Sequence, residues 1–181
     1  MNEALIAGRY TKALFALAEQ HKVLEEIKND MELLYAVYRE SKPFQILLEN
    51  PVLKPSQKSK IFREVFTQLQ PLTLSTVDLI FENRREEILP FVALDFVEKY
   101  YNARNIVRVV VKTAFPLSED NLQRIQTMLV EQLKSEIDIT TEHDASIIGG
   151  FILRIADKEV DASVRRRLKK LEQQLIQTQI K

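Results

Sequence analysis

Along the first hundred residues apolar positions recur at three- and four-residue steps, the spacing that lines one face of an α-helix. The pattern predicts a first helix over Ala4–Ala18 that is apolar or small almost all round. Ile6, Tyr10, Ala13, Leu14 and Leu17 fall on one side, and Ala4, Ala7, Thr11, Phe15 and Ala18 on another. A helix with two apolar faces is either central to a bundle or half-covered until a partner arrives. The second helix, Val23–Glu40, turns a single face inward through Leu24, Ile27, Met31, Leu34 and Val37, and Ser41-Lys42-Pro43 breaks it. A short helix, Phe44–Glu49, stops at Asn50-Pro51 because a residue before proline avoids the helical region. Pro55 and Ser56 open a fourth helix to Phe66, with Ile61, Val65 and Phe66 apolar and Lys58, Lys60 and Arg63 outward. After Pro71 a fifth carries Leu72, Val77, Leu79, Ile80 and Phe81 to Asn83, and Asp78 is its one charge between Leu72 and Phe81. The sixth runs from Glu86 to about Arg104, with Pro90 tolerated in a first turn whose N–H groups lack partners anyway.

At Ile106 the period changes. IVRVVVKTA is a β-branched run that reads as a buried strand. Ser118-Glu119-Asp120 caps a helix whose inward face is Leu122, Ile125, Leu129 and Leu133, and Ile137–Thr140 alternates as a second strand. Phe151, Leu153 and Ile155 then alternate, Asp157-Lys158 turns the chain, and Glu159-Val160 extends again. Asp161 stands where a helix N-cap would, ahead of Val164, Leu168, Leu171 and Leu175 on one helical face. Gly149 and Gly150 are placed inside the first strand of this stretch, which suggests a bulge or a close backbone approach. Phosphate-binding glycines instead precede a helix N-terminus. The expected fold is mainly α with a small α+β part: an N-terminal six-helix bundle over residues 1–105, then a C-terminal sheet over 106–181 with helices packed on it.

Charge narrows the function. The 26 basic and 26 acidic residues cancel, and neither half hides an imbalance: residues 1–105 carry 14 and 15, residues 106–181 carry 12 and 11. Nothing electrostatic favours nucleic acid or an anionic membrane as the main partner. The absence of cysteine excludes disulfides, thiolate catalysis and zinc–cysteine sites. No apolar run approaches the roughly 20 residues of a spanning helix. MNEALIAGRY has neither a basic-then-apolar signal nor a transit composition, so the chain is expected on the cytosolic side of a membrane, or as a processed form.

Catalysis finds little support. The two histidines, His21 and His143, have no metal-ligand spacing on a shared helix face, and Glu142-His143-Asp144 reads as a polar loop between strands. No G-x-S-x-G nucleophile elbow occurs. A small hydrolase would require a perturbed His143 in a pocket. No metal, cofactor or catalytic residue is assigned. Arg165, Arg166 and Arg167 with Lys169 and Lys170 form a basic run around Leu168 and Leu171, which are read as inward. This is a solvated face, a docking face for an acidic helix, or a nucleic-acid patch; no aromatic stacking platform accompanies it. From the residues alone the chain is a two-domain adaptor, with a nucleic-acid-binding regulator as the second reading.

Three motifs, in order, carry a resemblance across the whole chain. They are Ala7-Gly8-Arg9-Tyr10-Thr11-Lys12-Ala13-Leu14-Phe15; then Leu48-Glu49-Asn50-Pro51 with Lys58, Lys60 and Glu82-Asn83-Arg84-Arg85; then Gly149-Gly150-Phe151-Ile152-Leu153-Arg154 with Asp157 and Val160–Arg165. With these the sequence resembles the delta-subunit family of bacterial F-type ATP synthases, whose mitochondrial relative is the oligomycin-sensitivity-conferring protein. Thr11 departs from the family's usual alanine, a change placed on a groove expected between the first and fifth helices, and Ala156 from its usual glycine before Asp157. The resemblance implies a non-catalytic stator subunit, peripheral on the cytoplasmic face of the membrane, that binds no nucleotide or nucleic acid and does not insert into the bilayer. It implies that the N-terminal bundle grips the N-terminal helix of an alpha subunit between its first and fifth helices. Here the walls would be Tyr10, Ala13, Leu14 and Leu17 against Thr76, Leu79, Ile80 and Asn83. It also implies that the C-terminal part contacts the peripheral-stalk b subunits, for which Arg165, Arg166, Lys169 and Lys170 are the candidates.

Overall fold

A computed structural model describes residues 3–145, 147–155 and 158–179. Most of them are helical, and a single four-stranded sheet lies in the second half. None of the described helices is long and apolar enough to cross a membrane. The chain divides into two compact units, Met1–Tyr100 and Tyr101–Lys181.

The first unit holds α1 (Glu3–Gln20), α2 (Leu24–Glu40), α3 (Lys42–Glu49), α4 (Pro55–Val65), α5 (Pro71–Glu82) and a 3-10 turn (Glu86–Ile88). Most of α6 (Leu89–Ala103) belongs to it too. Helices α4 and α5 open on a proline and α3 has one as its second residue, where the missing N–H is no loss in a first turn. Ser41, expected only to break α2, also caps α3 by accepting from the Phe44 amide at 3.4 Å. Phe62 sits among the rings of Phe44, Phe66 and Phe81, and Phe15 meets Phe96 at 5.5 Å. Ile27, Met31 and Leu34 on α2 and Val77 on α5 complete this core.

On α4 the expected face is corrected. Lys58, read as outward, is 3% exposed; its Nζ donates to the Leu48 carbonyl and to Glu86 Oε1, both at 2.9 Å. Ile61 and Val65 are exposed instead, and the buried positions are Lys58, Phe62 and Phe66. The ammonium is tolerated inside because a carboxylate pairs it and a carbonyl near the negative end of α3 accepts a second N–H hydrogen bond. Thr11 is corrected as well: it lies off the groove, buried against α6 with its hydroxyl donating to the Val92 carbonyl.

The second unit runs β1 (Ile106–Thr113), α7 (Glu119–Leu133), β2 (Glu136–His143), β3 (Phe151–Ile155), β4 (Lys158–Asp161) and α8 (Val164–Gln179). The strand order is β2-β1-β3-β4. β1 and β2 are parallel, with α7 as their crossover, and the other pairings are antiparallel. Residues alternate across the pleat, so Val109 and Val111 of β1, Ile137 of β2 and Leu153 of β3 reach one core with Ile125 and Leu129 of α7. As expected, Ser118 caps α7.

Four further expectations need correction. Among the described side chains α7 is the helix that reaches the core on the sheet, and Leu168 of α8, read as inward, is 58% exposed. The glycines precede β3 rather than lying in it. Gly150 has φ +82°, and a Cβ there would stand 2.5 Å from the Ala162 carbonyl oxygen, so the close backbone approach is real. Glu142-His143 closes β2 instead of forming a loop, and Glu142 pairs with Lys112 at 3.1 Å. The cap of α8 is Ser163, whose Oγ accepts from the Arg166 amide at 3.3 Å; Asp161 lies two residues earlier and accepts from the Ser163 amide. The turn at Ala156-Asp157 falls outside the described residues, as does the Leu171 side chain.

The division between the compact units lies before Tyr101, inside α6. The Tyr101 hydroxyl donates to Asp138 of β2 at 2.9 Å, and the Arg108 guanidinium covers its ring, so this residue belongs with the sheet. Its neighbour Tyr100 is buried with the first unit, where Lys28 lies over its ring.

Candidate partner-binding site

Helix α1 packs against α2, α5 and the 3-10 turn, and also meets α6 through Thr11 and Phe15. Ala7, Thr11, Leu14, Phe15 and Ala18 are consumed by those contacts. A second stripe, Ile6, Tyr10, Ala13 and Leu17, follows i, i+4, i+7, i+11 spacing and is not consumed. Ile6 and Tyr10 are half-buried, Ala13 is exposed, and Leu17 is 42% exposed. Helix α1 is thus central to its unit while one of its apolar faces is open to water.

On the adjoining α5, Leu72, Thr76, Leu79 and Asn83 repeat the same spacing. Leu72 and Thr76 are half-buried, Leu79 is 50% exposed, and Asn83 is exposed. Leu14 and Ile80, named as walls from the sequence, are 1% and 0% exposed, so they lie beneath the stripes and add rigidity rather than contact area. The polar members of the α5 stripe turn inward on their own helix. The Thr76 hydroxyl donates to the Leu72 carbonyl at 2.9 Å, and the Asn83 amide donates to the Leu79 carbonyl at 2.8 Å. Covering Thr76 therefore strands no donor. Asp78, the one charge on α5 before Glu82, points elsewhere, to Ser59 and Arg63 of α4.

One residue under this site was missed in the sequence. Asp30 is buried on α2, and its Oδ2 accepts from the Gln70 amide at 2.8 Å and the Thr73 hydroxyl at 2.6 Å, at the start of α5. The signal was there: Asp30 falls on the face of Ile27, Met31 and Leu34, where a carboxylate needs a buried partner. A cleft of about 250 Å³ borders the Lys58–Glu86 pair, lined by Leu48, Asn50, Lys54, Arg84 and Glu87 among others.

On α8, Arg165, Arg166, Arg167, Lys169 and Lys170 are all exposed, as are Val164 and Leu168 between them. The helix is tied to the sheet at its start, where the Val164 amide donates to the Gly149 carbonyl at 2.9 Å. Hydrogen bonds from the Ser163 side chain and backbone, helped by the nearby Arg166 charge, hold the Asp161 carboxyl below the usual aspartate range. Among the described residues no group of three or more His, Asp and Glu side chains is placed to hold a metal ion.

These features fit an adaptor: a helical unit with an open apolar stripe, followed by a small sheet unit carrying a basic helix. A family model described as ATP synthase delta (OSCP) subunit matches residues 6–175. Among relatives, the ATP synthase subunit delta of Christiangramia forsetii is 35% identical over 93% of this chain and 92% of its own length. That of Symbiobacterium thermophilum is 31% identical over 99% and 96%. A chain in the cryo-EM structure of the Toxoplasma gondii mitochondrial ATP synthase hexamer shares the fold, with a TM-score of 0.63 and 24% identity over 94% of this chain and 97% of that one. The chain belongs to the ATP synthase delta (OSCP) subunit family, and its role is that of a non-catalytic stator adaptor.

Proposed function

We propose that the helical part, residues 1–105, works as a six-helix bundle that seats the N-terminal helix of an ATP synthase alpha subunit between α1 and α5. Residues 106–181 hold the b subunits of the peripheral stalk, with Arg165, Arg166, Lys169 and Lys170 on the charged face of α8. The assembly is peripheral, on the cytoplasmic face of the membrane, and resists rotor torque so that ion flow is coupled to ATP synthesis. The observation that carries this reading is the pair of matched stripes, Ile6-Tyr10-Ala13-Leu17 and Leu72-Thr76-Leu79-Asn83, with Leu17 and Leu79 left half open to water.

An amphipathic helix presents apolar residues at the same steps, so it can cover both stripes at once. Each square ångström of apolar surface removed from water contributes about 25 cal/mol before the costs of association are deducted. Two such contacts on one chain strengthen each other through effective concentration, which suits a tether under load. The test is calorimetry with a peptide of the alpha-subunit N-terminus. Ala13→Arg, on an exposed position, is expected to leave the melting temperature unchanged and weaken binding at least about a hundredfold, since it drives a charge into the apolar contact. Unchanged affinity in that variant overturns the reading.

A further inference from the structure

We infer that Asp30 is the positioning residue of the partner seat: from α2 it fixes the start of α5, and so sets the wall that faces α1. This rests on the seat reading above and adds to it a residue outside the contact surface.

Helix α5 has unusual needs. Its stripe of Leu72, Thr76, Leu79 and Asn83 is left open, so only Thr73, Val77, Ile80 and Phe81 anchor it by burial. Apolar burial is non-directional and tolerates sliding and rolling, whereas hydrogen bonds are directional. The first turn lacks its own polar anchor, because Gln70 at the N-cap makes no side-chain capping bond and Pro71 has no N–H. Asp30 supplies the anchor from another helix. One oxygen, Oδ2, takes both the Gln70 amide and the Thr73 hydroxyl, at 2.8 and 2.6 Å, with Thr73 wholly buried. A carboxylate at the positive end of a helix is also favoured by the helix dipole. Further along, Ser59 and Arg63 of α4 hold Asp78. The helix that presents the stripe is thus held in register by polar contacts at its start and middle. A wall fixed in advance spares an incoming helix the cost of ordering it.

The test compares wild type with Asp30→Ala, Asp30→Asn and Thr73→Val, using the alpha-subunit N-terminal peptide in calorimetry and amide exchange on the full chain. All variants are assayed at a temperature where circular dichroism shows them folded. Asp30→Ala is expected to weaken binding about tenfold and to raise exchange selectively at Gln70 and the first turn of α5. Asp30→Asn, which keeps an acceptor oxygen, is expected to recover most of both. Thr73→Val is expected to give a smaller loss, about threefold, and keeps the inference testable if Asp30→Ala does not fold. Wild-type affinity in folded Asp30→Ala or in Thr73→Val, or exchange that rises uniformly across the unit, overturns the inference. A wild-type protein that takes no peptide overturns the seat reading, and this inference with it.

Discussion

Helices α1 and α8 both show more apolar surface than their own units cover, and they do so in opposite ways. α1 is wedged among α2, α5 and α6, with Leu14 and Phe15 buried, and its open stripe is a rigid, uncharged strip beside a second one. α8 is fastened at its first residues, and its exposed Val164 and Leu168 are surrounded by five cations. The first is a preformed apolar surface, the proposed seat. The second is a helix whose apolar face still lacks a cover from its own chain among the described residues. Equal leucines on equal helices can therefore have unequal structural worth within one polypeptide.

The largest break in this comparison comes from the scaffold of the first unit. Lys58→Ala leaves Glu86 buried without its cation, and chemical denaturation is expected to show a loss of about 3–5 kcal/mol from the first unit. A matched pair sharpens the comparison directly. Leu14→Ala opens a cavity in a packed core and is expected to cost about 2–5 kcal/mol, whereas Leu168→Ala on an exposed position stays within about 0.5 kcal/mol. Equal losses in the two variants would mean that α8 is covered after all. The smallest effect is one of pH. Because the Asp161 carboxyl titrates below its usual value in the folded chain, its contribution at the start of α8 is full above the unfolded value of about 3.9 and is lost as pH falls through the lower folded one. Asp161→Asn is expected to remove that dependence, read by amide exchange at Ser163 across an acid titration.

Much of this was legible because periodicity reports burial wherever the hydrophobic pattern is unopposed. The β-branched run from Ile106, the Ser118 cap and the surplus face of α1 all follow from local chemistry. What was misread at Lys58 and missed at Asp30 has one cause: partners distant in sequence. Lys58 looks like an outward lysine until Glu86 and the Leu48 carbonyl are brought to it, and with it the whole face of α4 rolls toward Phe62. Asp30 stands on an inward face as a charge without a visible partner until the start of α5 arrives. Leu168 fits a helical stripe, but a stripe predicts an apolar face without saying whether the same chain covers it. At α8, both Asp161 and Ser163 are competent caps, and the Asx turn between them decides which one the helix uses.

The adjacent tyrosines of α6 bear on anyone who would divide this chain for expression. A cut at residue 105 keeps the helix whole but carries Tyr101 away from the strand carboxylate it serves. A cut at residue 100 leaves Tyr101 with its strand and shears a helix in mid-turn. Either fragment begins life with a debt at its end, so a weak fragment reports on the scissors before it reports on the partner.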